Sequence, residues 1–323
     1  MKRMLSLSAG LVLAVPATAA AATPAGGYTD LALASKAAKA LKSAGISVTP
    51  VKTTPNEDGV IRFPVTGAPK NAIDHSGGLR LKKGSRSLTL TNFRIVLKKG
   101  APTRIVASAG KAKVTAFTLD AKKTKTTADG LDTVVGPVGV KLSGAAAGAI
   151  RSTLGVKLPR GYSLGSATVT LQTAATRVTL DSGTAEVLRQ LGVGVAPEGE
   201  AKAGSTIAFP VTNPSGKISL TAPISHAGGL TFSAGGKTLT VGDFTIDPAA
   251  GLLFAERTPV GRLALFKVDL SAAKTTTPGI QVELTGAKLS LTAAAASALN
   301  GTFGVTAFTE NLAIGSAQIV ALP

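Results

Sequence analysis

The chain has 323 residues, with 35 basic and 17 acidic side chains, two histidines, and no cysteine or tryptophan. Without cysteine there can be no disulfide, no thiol nucleophile and no lipid carried on a processed cysteine, so stability has to come from packing. About 300 residues beyond a leader suit two domains of about 150, each large enough to bury a core, and that core must be built from Val, Ile, Leu, Ala and ten Phe.

Residues 1–22 read as an export signal: Lys2 and Arg3, an apolar run from Leu5 to Val15, then the small residues Ala17-Thr18-Ala19 and Ala20-Ala21-Ala22. The apolar run is about ten residues long, short of the roughly 20 that cross a bilayer, and no later stretch of that length lacks charge. The expectation is a soluble exported protein, extracellular or associated with the cell envelope, without a transmembrane anchor.

Beyond the leader the chain repeats itself. Leu33 to Ile46 matches Leu180 to Val193, and Phe63-Pro64-Val65-Thr66 matches Phe209-Pro210-Val211-Thr212. The phrase Ile73-Asp74-His75-Ser76-Gly77-Gly78-Leu79 returns as Ile224-Ser225-His226-Ala227-Gly228-Gly229-Leu230, and it contains both histidines. His75 precedes Phe93 by 18 positions, as His226 precedes Phe244, and Phe117 precedes Leu142 by 25, as Phe266 precedes Leu291. Fixed offsets of this kind predict two tandem copies of one domain, residues 23–171 and 172–323.

Within a copy most segments alternate apolar and polar with a period of two, the mark of half-buried strands. Leu79 to Leu90 predicts a hairpin turning at Lys82-Lys83-Gly84-Ser85. The alternation slips at Asn92, and again at Gly242-Asp243, which predicts a β-bulge that turns Phe93 and Phe244 inward. Helical character is confined to Ser35–Ser43 and Ser143–Leu154 in the first copy, and to Ser182–Leu191 and Thr292–Leu299 in the second. Each begins at a Ser or Thr cap and stops at a glycine. The predicted class is mainly β: two tandem β-sandwich-like domains, each with two short α-helices.

Charge is distributed unevenly. Tyr28 to Leu171 carries 23 basic and seven acidic residues, a net +16, while Gln172 to Pro323 carries ten of each. Lys82 and Lys83 stand where the second copy has Ser233 and Ala234; Lys98 and Lys99 stand where it has Ala249 and Ala250; Lys122 and Lys123, with Lys125, form a third cluster. A fold copied without these charges does not need them, so the six lysines are candidate contacts for a polyanion, held by screened attraction. An anionic cell-envelope polymer fits an exported protein. Nucleic acid is not expected, since no aromatic platform lies among the lysines.

Gly161-Tyr162-Ser163-Leu164-Gly165 has the spacing of a nucleophile elbow, but the segment after it, Ala167 to Leu171, reads as strand where the elbow requires helix. The second copy has no serine there. No catalytic residue is assigned, and the chain is not expected to be an enzyme.

The order of motifs resembles the HtaA domain, a repeated module of haemin-binding cell-surface proteins: a helix-forming start, a Phe-Pro strand, His-x-Gly-Gly-Leu, an alternating strand into Asn-Phe or Asp-Phe, and an Ala-rich helix after Leu-Ser or Leu-Thr. The resemblance covers both copies. It implies a β-rich domain, export, a haem-transport partner, and haem held by an axial tyrosine with a histidine beside it. The family's histidine falls on His75 and His226, the candidate cofactor-binding residues. Its tyrosine falls near Ala40 and Val187, so a phenolate is replaced here by aliphatic side chains. Two readings follow. One is haem capture or relay at the envelope; the other is a non-catalytic adhesion module, in which each imidazole pins a loop by bonding nearby backbone.

Overall fold

In a computed structural model, the residues described are 24–53, 59–98, 101–258 and 261–322. The predicted export signal and Lys99 lie outside them. The chain divides into two compact units, the first comprising Gly27–Thr127 and Thr133–Thr170, the second built on Leu171–Pro323 and taking in Ala128–Asp132.

The first sheet contains β1 (Pro24–Leu33), β2 (Ser47–Val51), β3 (Ile61–Gly67), β4 (Ala72–His75), β5 (Gly78–Lys83), β6 (Arg86–Lys98), β7 (Ala101–Ala109), β8 (Ala112–Asp120), β9 (Lys125–Asp129), β10 (Asp132–Leu142) and β11 (Ser163–Thr173). Helix α1 (Ser35–Ser43) follows β1, and α2 (Gly144–Leu154) follows β10. The strands run in the order β6-β4-β3-β1-β11-β10-β8-β7, and pairing of β7 with β6 closes the circuit. Strand β5 pairs with the first half of β6 and carries β2 outside it. The mainly β, sandwich-like expectation holds, with its two faces joined into a ring.

The second sheet contains β12 (Ala175–Leu180), β13 (Gly194–Glu198), β14 (Lys202–Ala203), β15 (Ile207–Pro210), β16 (Ile224–Ser225), β17 (Gly229–Ala234), β18 (Lys237–Asp247), β19 (Leu252–Arg257), β20 (Leu263–Asp269), β21 (Lys274–Thr276), β22 (Val282–Leu291) and β23 (Ala313–Ala321). Helix α3 (Ser182–Gln190) follows β12, and α4 (Ala293–Phe303) follows β22. Its order β18-β19-β20-β22-β23-β12-β15 is completed by a bridge from Val211 to His226 and by β16 on β18. About eight strands enclose an interior that side chains fill or that admits one small ligand.

Alternation puts Ile61, Phe63 and Val65 of β3 inside. In β6 the buried set changes phase, from Leu88 and Leu90 to Phe93 and Ile95, across a register shift between Thr91 and Arg94. Asn92, at the shift, has φ 52, and Asp243, before Phe244, has φ 54. The predicted bulge is present in β6, and the same left-handed residue precedes Phe244. It turns Phe93 onto Phe63 and Phe244 onto Phe209, both pairs edge to face with centroids 5.1 Å apart, a favoured aromatic arrangement.

Helix starts differ in part from expectation. Ser143 and Thr292 cap α2 and α4 as predicted, accepting the backbone N–H of Ala146 at 3.0 Å and of Ala295 at 3.1 Å. Ser35 and Ser182, however, lie inside α1 and α3, whose cap positions hold Ala34, with no side-chain bond, and Asp181, which accepts from Gly183 and Thr184. Helix α4 also runs past Asn300-Gly301 and stops at Gly304, φ 70. Glycine without a positive φ requirement costs a helix only about 1 kcal/mol, so Gly301 does not end it.

Candidate functional site

The repeated histidine phrase forms the same structure in both units. Ile73 and Leu79, like Ile224 and Leu230, are buried and anchor its ends. Between them the two glycines have separate tasks. Gly77 and Gly228 have φ 82 and 81, which a side chain disfavours. Gly78 and Gly229 lie flat on the neighbouring strand, where a Cβ would come within 2.3 Å of the Leu90 and Val241 carbonyl oxygens. The phrase docks on the Phe-Pro strand: Ser76 N–H donates to the Pro64 carbonyl at 3.0 Å and Ala227 N–H to Pro210 at 3.1 Å.

This packing carries each imidazole into the interior, where both histidines are 4 % exposed. Nδ1 of His75 meets the Phe93 carbonyl oxygen at 3.2 Å, and Nδ1 of His226 meets that of Phe244 at 3.1 Å. A carbonyl only accepts, so Nδ1 carries the hydrogen and Nε2 has the lone pair. Nε2 then accepts from a threonine hydroxyl at 2.7 Å, Thr29 in the first unit and Thr176 in the second. Desolvation pushes both imidazoles down to about 4; the carbonyls, and Asp74 near His75, oppose the shift. Both rings are therefore neutral at pH 7.

The histidine of the second unit lies on the wall of a cavity of about 420 Å³. Its lining is mostly apolar, including Phe209, Phe232, Phe244, Phe266, Leu299 and Phe308, with Thr176, Thr184, Ser205 and His226 among the polar groups. Leu180, also in the lining, is 40 % exposed and marks its outer end. Ligand pockets typically have about 300–1,000 Å³, apolar walls and a few polar groups. A smaller cavity of about 30 Å³ lies beside His75, between Phe63, Phe93 and Phe117.

The cavity of the second unit meets two needs of a haem, an apolar enclosure and a neutral imidazole whose Nδ1–H is held by a carbonyl, the arrangement usual for a ligating histidine. The threonine on Nε2 must turn aside before that nitrogen can bind iron. The chain's two tyrosines, Tyr28 and Tyr162, are not in the lining of either cavity. Tyr28 is stacked under the Arg62 guanidinium, 3.5 Å from its ring centroid, and Arg62 makes a two-point pair with Asp30. Sequence reasoning overlooked Thr29 and Thr176; each stands four residues before the matching Leu33 and Leu180, so the repeat already aligned them.

Ser163 opens strand β11 and has no helix after it, which is not elbow geometry. Among the described residues, no group of three or more His, Asp or Glu comes together to hold a metal ion, and no helix is long and apolar enough to cross a membrane.

The candidate lysines fall at two places. Lys82 and Lys83 end β5, with Lys83 paired to Arg86, so the turn is the two residues Gly84 and Ser85 rather than the four expected, because the strand pairing runs to its last rung. Lys98 is the far end of β6, ~40 Å away along the strand at ~3.3 Å per residue. Lys98 pairs with Ala101 of β7, and Arg104 of β7 pairs with Thr118 near the end of β8, so Lys122 and Lys123 lie toward Lys98.

No protein-family model and no curated protein matches the chain. Among solved structures it is similar to the crystal structure of the C-terminal domain of HtaA from Corynebacterium glutamicum, at 12% sequence identity and a TM-score of 0.34, over 45% of this chain and 95% of that one.

Proposed function

We propose that the chain is an exported, non-enzymatic envelope protein of two copies of one domain, and that the second domain takes up one largely apolar ligand of the haem class. The observation that carries this reading is the apolar cavity of about 420 Å³ with a neutral imidazole on its wall. Haem would supply an iron needing a nitrogen donor; His226 would be that donor, and the phenylalanine-rich wall would enclose the ring. For His75 to serve the first domain in the same way, the cavity beside it, about 30 Å³, would have to open to ligand size.

Titration of haemin into the protein lacking residues 1–22 tests it. A saturable Soret change is expected, weakened roughly tenfold or more by His226→Ala, the scale of losing a metal ligand or its support. Identical titrations for the wild type, His226→Ala and His75→Ala would reject both histidine roles.

A second reading, that the first domain docks on an anionic envelope polymer, is favoured by its net charge of +16 against zero for the rest of the mature chain. Docking of that kind weakens as salt is raised. Salt-insensitive retention on purified cell wall would count against it.

A further inference from the structure

We propose that a row of cations on α1, continued by Lys83 at the end of β5, is the docking site for a linear polyanion with closely spaced phosphate groups. This rests on the polymer-docking reading and gives it a place. Lys36, Lys39 and Lys42 are exposed, three residues apart, while Ala37 and Leu41 on the other face are buried. Such a row spans ~9 Å at ~1.5 Å per residue. Where α1 ends, a Cβ on Gly45 would lie 3.8 Å from Cε of Lys83, and Ser47 of β2 pairs with Lys82. Lys83 thus extends the α1 row to four cations, while Lys82, next to it in β5, faces the other side of the strand.

Carboxylates do not account for them. The ion pairs of Asp30, Asp74 and Asp120 are with Arg62, Arg94 and Lys141, and among the described residues none of the four lysines has an ion pair. Folding does not account for them either. Helix α1 has no acid in its first turn, where Lys36 opposes the helix dipole, and like charges three apart repel. Helix α3, of the same length, has Gly183, Glu186 and Arg189 at the matching positions, with Glu186 bonded to Arg189. A helix held in the same place without the charge shows that the lysines are carried for another purpose.

A narrow track suits a chain-like partner better than a bilayer. Helices that lie in a membrane surface present an apolar face to it, whereas that of α1 is turned into the protein. The large exposed hydrophobics among the described residues, Leu180 and Leu220, both belong to the second unit.

The test uses the protein lacking residues 1–22 and long-chain inorganic polyphosphate, titrated over a series of salt concentrations. Lys36→Gln/Lys39→Gln/Lys42→Gln should weaken binding roughly tenfold and flatten its salt dependence, since fewer counterions are released. Lys98→Gln/Lys122→Gln/Lys123→Gln, which removes equal charge from the other end, should change it little. Circular dichroism and the haemin titration should be the same for both variants and the parent. Equal losses from the two triple variants would overturn the site while leaving polymer docking standing. No binding by the parent would overturn both. Tighter binding to acidic phospholipid vesicles than to polyphosphate would overturn the partner.

Discussion

Thr176 controls what His226 can offer. Its hydroxyl occupies Nε2 at 2.7 Å, so binding iron there means giving up that bond. Thr176→Val keeps the volume and removes the competitor. Haemin affinity should rise, while the protein loses about 1–3 kcal/mol because a buried acceptor is left unpaired; Soret titration and urea unfolding check the two halves. A pH effect follows from the same burial. Both imidazoles are pushed down to about 4 when folded but protonate near 6.5 when unfolded. Because the folded value is the lower one, stability is full above that range and falls as pH drops from about 6.5 to about 4, by up to about 1.4 kcal/mol per pH unit for each histidine. Urea midpoints measured across this window should show the slope, and His226→Gln should reduce it. The lowered carboxyls of Asp74 and Asp120 add their own loss only at more acidic pH. The sequence shows that the two histidines are equivalent. Their threonine partners lie 46 and 50 residues earlier, and nothing in a local pattern points across that distance.

Helix starts show where local chemistry can and cannot be read. Ser143 and Thr292 are recognisable because each is followed by an Ala-rich run and has no competing acceptor before it. Ser182 is preceded by Asp181, whose carboxylate takes the cap, and Ser35 is preceded by Ala34, whose backbone has nearly the same cap geometry, φ −63 and ψ 137 against φ −62 and ψ 138. Ala34→Asp should therefore stabilise the first unit by about 0.5–1 kcal/mol, and Ser143→Ala should cost about 1 kcal/mol, both measurable by denaturant unfolding. The slip before each phenylalanine, a bulge in β6 and a left-handed Asp243 in β18, was legible for a different reason. A slip in a period of two moves every later side chain to the other face, so an apolar run that stays buried across a slip has to absorb an extra residue.

Across the whole chain, alternation indicates that strands exist and which face is inward, but not which strands adjoin. Ring closure depends on β1 lying beside β11, and β12 beside both β15 and β23, pairings between segments far apart in sequence. The candidate lysines were legible one by one. Their separation along β6 was not, because it depends on strand length and direction. The two sheets also have strands outside their circuits. Among the described residues, strands β2 and β13 each have a single neighbour, β5 and β17, and each has a proline at the matching place, Pro50 and Pro197. Proline has no N–H to offer a further strand. Pro50→Val and Pro197→Val would restore that donor at a bare edge, and light scattering at high protein concentration should then report self-association that the parent lacks. An imino acid on each of these open margins lets a molecule rich in ribbon be crowded without growing edge to edge into fibrils.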